Sequence, residues 1–177
     1  MSKLFSVKPL NEIEADKSYL VLISPEQIPH LILVHKGRYF SLTYKESILG
    51  GDFTTYFDFL KRAGKKMLFI ELKNSWQGDL EDAFNAYDSV NTYSVTCLHP
   101  VRDFLLPFSE AEFVFELVPE LYSANLVENV FHLNLQNQLD ELGDFKMNTY
   151  SKEAIYSYIQ NLKEKNADRK KSISQNA

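Results

Sequence analysis

The runs Ser18-Tyr19-Leu20-Val21-Leu22-Ile23, His30-Leu31-Ile32-Leu33-Val34 and Arg38-Tyr39-Phe40-Ser41-Leu42-Thr43-Tyr44 decide the fold. The first two are continuous apolar segments of strand length, separated by the loop Ser24-Pro25-Glu26-Gln27-Ile28-Pro29. Such runs read as strands buried on both faces. His35-Lys36-Gly37 reads as a tight hairpin turn in which Gly37 supplies the permissive backbone, and the third run returns with rough apolar–polar alternation. Together they predict an antiparallel meander.

Downstream the period changes. Phe53, Tyr56, Phe57 and Leu60 fall at i, i+3, i+4 and i+7, one apolar helical stripe, with Asp52 or Thr54 placed to cap its start and Gly64 to end it. Met67–Leu72 reads as a fourth strand, and Leu80–Tyr87 as a short helix with Leu80, Phe84 and Tyr87 inward. Thr92–Thr96 is short and β-prone. A helix is expected from Pro100 to Leu106, with His99 as its N-cap, because a residue before proline is biased away from helical geometry. A further helix over Ala111–Leu121, a strand over Val127–Leu135 and a short strand over Lys146–Tyr150 follow. Ser151 opens a C-terminal helix with Ala154, Ile155, Tyr158 and Leu162 on its inner face. The reading is an α+β fold, an antiparallel sheet of about five to six strands packed with three to five helices. Residues 1–166 form one domain, and 167–177 a basic, disordered tail.

The 177 residues are 45% hydrophobic and include 13 Phe and 10 Tyr, enough for a sizeable core without staples. One cysteine excludes an intramolecular disulfide and a Cys-rich zinc site. Lys and Arg total 19 against 24 Asp and Glu, a net charge of −5, which lacks the basic footprint of nucleic-acid binding. The basic group Lys163, Lys165, Arg169, Lys170 and Lys171 reads as a solvated helix end running into a frayed terminus. No stretch is apolar over a membrane-spanning length, and the N-terminal residues lack the apolar core of a secretory signal, so a cytoplasmic location is expected.

Gly50-Gly51 lacks the lysine and third glycine of phosphate-binding loops, and no cofactor is expected. His30, His35, His99 and His132 are scattered, and no metal site is expected. Glu71 ends an apolar strand and reads as an acid reaching water at the strand end. The constellation with chemical content is Cys97 with His30. A thiol nucleophile needs a positive dipole or imidazolium to favour the thiolate, and a base within hydrogen-bond reach. Cys97 precedes a helix start whose amides near Leu98 can receive an oxyanion, and His30 stands at the mouth of a central strand. Each also fits a plain role, Cys97 as a buried inert thiol and His30 as a strand-end histidine with its bonds satisfied.

The order of these elements resembles the circularly permuted NlpC-like papain-fold families. The apolar strand Tyr19–Ile23 comes first, then Pro29-His30-Leu31-Ile32-Leu33-Val34, a returning strand, the helix Phe53–Leu60, the strand Met67–Leu72, and later Thr96-Cys97-Leu98 before a helix. Those families include bacterial amidase-like proteins and the lecithin retinol acyltransferase group. The resemblance covers residues 18 to 106 and rests on order and spacing. It implies a permuted papain-like core that cleaves or transfers acyl groups, with Cys97 as nucleophile and His30 as base. A third polar residue orienting the histidine is implied on the following strand, where Ser41 and Thr43 stand.

A competing class comes from aromatic residues. Trp76 in a polar loop, with Tyr87 and Tyr93, forms a candidate protein interface, whereas Phe104-Leu105-Leu106-Pro107-Phe108 is expected to be buried. Two readings therefore stand. One is a non-catalytic accessory or adaptor domain that binds another protein; the other is a cysteine-dependent amidase, peptidase or acyltransferase using Cys97 and His30.

Overall fold

The computed structural model describes residues 2–73, 78–91 and 94–175. Among them the strands are β1 (Lys3–Leu4), β2 (Lys8–Pro9), β3 (Ser18–Ile23), β4 (His30–His35), β5 (Arg38–Leu42), β6 (Ser47–Asp52), β7 (Met67–Leu72), β8 (Val127–Leu133) and β9 (Phe145–Lys146). The helices are α1 (Phe53–Arg62), α2 (Leu80–Asn85), α3 (Leu98–Leu105), α4 (Val114–Ser123) and α5 (Lys152–Gln175). The main sheet runs β2-β8-β7-β3-β4-β5-β6, while β1 and β9 pair separately. Its pairs are antiparallel except β2–β8. The α+β class holds, and the sheet is wider than the sequence suggests.

The centre of the sheet is covered on both sides. Leu20, Leu22, Leu31, Leu33, Leu68 and Ile70 pack on the face that carries α2, α3 and α4. Tyr19, Val21, Ile32, Val34, Met67 and Phe69 pack on the face that carries α1. Alternate residues therefore go to opposite layers, which is why β3, β4 and β7 read as unbroken apolar runs. Burying each of these leucines contributes about 2 kcal/mol. Lys36 and Gly37 make the β4–β5 turn with φ of 49° and 76°, the double left-handed geometry of a two-residue hairpin.

Helix α1 follows its sequence signals closely. The Thr54 N–H donates to Asp52 Oδ1 at 3.3 Å, and the Thr55 hydroxyl donates to Oδ2 at 2.6 Å. At the other end Gly64 has φ of 67°, its N–H reaches the Lys61 carbonyl, and the Lys65 N–H reaches Leu60. That is a Schellman termination.

Several expectations change. Strand β6, which carries Gly50-Gly51, lies at the sheet edge and was not legible as a strand. Tyr39 pairs with Gly51 and Phe40 with Leu49, so Gly50, with φ of 78°, is the extra residue of a bulge. The glycine pair therefore has a structural use. Helix α3 begins at Leu98, not Pro100. As the third helical residue, Pro100 gives up only a first-turn N–H that has no intrahelical acceptor. Glu71 does not reach water: it is 6% exposed, ion-paired to Lys17 at 3.1 Å and bonded by Asn129 Nδ2 at 3.0 Å. Leu105 is buried as expected, but Phe108 is 99% exposed. Helix α5 runs on to Gln175, so residues 167–175 of the expected disordered tail are helical, and residues 167–174 are all exposed. No described helix is long and apolar enough to cross a membrane.

Candidate functional site: the cavity between His30 and Cys97

The open ends of β4 and β5 meet α1, α3 and the first turns of α5 around a cavity of about 350 Å³. Both His30 and Cys97 line it, so the structure brings the two sequence candidates to one place. It does not join them. Among the described residues no hydrogen bond links Cys97 Sγ to the His30 ring.

Strand parity supplies the reason. His30 opens β4 with the parity of Ile32 and Val34, which pack toward α1. Cys97 packs with the clusters on the α3 side and at the α5 end. The imidazole is occupied elsewhere: its Nε2 shares a 2.7 Å hydrogen bond with Ser41 Oγ. Of the two polar residues that follow, Ser41 makes this bond, whereas Thr43 is used locally, its hydroxyl donating to the Glu46 carbonyl at 2.9 Å. Burial holds the His30 pKa down to about 4, so the ring is neutral at pH 7.

Cys97 occupies the N-cap position of α3 with φ of −60° and ψ of −17°. It is closer to the helix than the sequence suggests. Burial pushes the thiol up to about 11, outweighing the opposing N–H groups of Leu31 and of Cys97 itself. The amide expected to receive an oxyanion is also engaged, because the Leu98 N–H donates to Thr96 Oγ1 at 3.3 Å. His99 is the second residue of the helix, not its cap, and its Nδ1 accepts from the Thr96 N–H at 2.9 Å.

Sequence reasoning missed other members of the lining. Ile159 is 7% exposed and continues the α5 stripe at i+4 from Ile155, a spacing that was there to be read. The Tyr44 hydroxyl is buried with no hydrogen-bond partner, and exposed Lys65 sits at the cavity wall. No local sequence signal announces either.

The remaining candidates lie elsewhere. Tyr87 is half-buried, its hydroxyl donating to Asp103 Oδ2, and burial followed by that carboxylate raises its pKa to about 12. Trp76 and Tyr93 lie outside the described residues. His30 and His35 stand at opposite ends of β4, and no group of three potential metal ligands gathers among the described residues. No protein-family model, curated protein or solved structure matches this chain.

Proposed function

We propose that this protein is a cytoplasmic, non-catalytic accessory domain that binds another protein, built on a papain-like scaffold in which the nucleophile and base positions serve as packing. One observation carries the non-catalytic half: Cys97 and His30 line one cavity, yet the imidazole Nε2 bonds Ser41 Oγ at 2.7 Å and, among the described residues, no hydrogen bond joins it to the sulfur. A working pair needs the opposite, a depressed thiol pKa and a base on the sulfur.

Support for the binding half comes from Phe108. This phenylalanine follows Pro107 in the α3–α4 connection, in a turn closed by the Ser109 N–H donating to the Leu106 carbonyl at 2.9 Å. At 99% exposure, about 2 kcal/mol of burial free energy is left unrealised until a partner covers the ring. A photocrosslinking residue at position 108 is expected to trap one discrete protein partner, and the same residue at Asp58, on the α1 side of the sheet, is expected to trap none. Equal or absent crosslinking at both positions overturns the assignment.

A second reading keeps cysteine-dependent acyl chemistry, favoured by the placement of Cys97 at the start of α3 beside the cavity that His30 lines. It requires a rearrangement that frees the Leu98 amide and brings the imidazole to the sulfur.

A further inference from the structure

The cavity lined by His30 and Cys97 has the build of a small-ligand binding site. Its 350 Å³ lies in the range of small-ligand pockets, about 300–1,000 Å³. At about 30 Å³ per water-sized group, it has room for roughly ten heavy atoms. Most of the wall is apolar: Leu60 of α1 and Ile159 and Leu162 of α5 line it, and burial disfavours the charged forms of His30 and Cys97. Polar features are few. Tyr44, Thr43 and Thr96 stand among the lining residues. Lys65 contributes the cation, exposed at the rim and in no ion pair among the described residues.

We propose that this cavity binds an amphiphile with an unbranched apolar chain and an anionic head, in chemical class a medium-chain carboxylate, with its chain between α1 and α5 and its head toward Lys65. The apolar wall recognises the chain by burial and disfavours a polar ligand of equal size, since few groups there replace lost hydration. Lys65 selects a carboxylate over the matching alcohol. Helix α5 forms the outer wall, so ligand binding and the seating of α5 are coupled. This site is separate from the Phe108 surface and stands or falls independently of it.

The test uses the full chain with decanoate and decanol as ligands, both below their aggregation limits, by isothermal titration and thermal melting. Decanoate is expected to bind saturably at one equivalent per chain and to raise the melting temperature. Lys65→Glu is expected to weaken decanoate at least tenfold while leaving decanol unchanged. Ile159→Trp fills the cavity and is expected to abolish both; Leu162→Trp, at a half-buried position, gives the same test should the first variant melt early. Absence of saturable decanoate binding overturns the proposal, as does equal affinity in the filled variants. Equal affinity for decanol and decanoate, indifferent to Lys65→Glu, overturns the carboxylate assignment.

Discussion

His30 shows at the level of one residue how burial sets chemistry. Its ordinary pKa is near 6.5 and its folded value about 4, because desolvation disfavours the imidazolium. Between those values the unfolded chain binds a proton that the folded chain refuses, so stability rises with pH across this window. The contribution is fully present above about pH 6.5 and is lost as pH falls toward 4, amounting to about 3 kcal/mol. His30→Gln, which keeps a hydrogen-bonding group for Ser41, is expected to flatten the urea-unfolding profile over that range. Burial also lowers His35, His99 and His132, so a smaller slope of the same sign remains. Parallel profiles for the two proteins contradict the assignment. His30 and Cys97, singled out in the sequence, line one cavity. Their states were not legible, because a titration is decided by what covers a group, and that cover comes from α1 and α5, distant in the chain.

At the scale of elements, legibility followed periodicity. Strands β3, β4 and β7 and helix α1 carry their patterns in full and appear where expected. Strands β1 and β2 have two residues each, too short for any alternation to register, and β6 hides behind its glycines. The start of α3 was misplaced because the bias before proline is a preference, which the Thr96 hydroxyl and carbonyl override by binding the Leu98 and His99 amides. The β5–β6 edge gives a test of this level. A Cβ on Gly51 would stand 2.5 Å from Tyr39 Cε1, and that ring is held by stacking on Tyr56 with centroids 4.6 Å apart. Gly51→Ala is therefore expected to cost about 1–3 kcal/mol, read as a lower urea midpoint at unchanged slope. An unchanged midpoint shows that the ring moves freely and that the edge is looser than described.

Across the whole molecule, the sheet separates two helical layers, and the cavity opens where the strands end between them. That placement brings His30 from the α1 side and Cys97 from the α3 side to one apolar space without bonding them. At that junction the imidazole is bonded to Ser41 and, among the described residues, no hydrogen bond joins it to the sulfur. The alkylation rate of Cys97 by iodoacetamide against pH, in the native protein and in His30→Ala, tests this most directly. Slow labelling is expected, with an apparent pKa well above the ordinary ~8.5 of a free thiol, no loss of rate on removing the imidazole, and acceleration only on unfolding. Fast labelling with an apparent pKa below that value, abolished in His30→Ala, would show an activated pair and contradict the account.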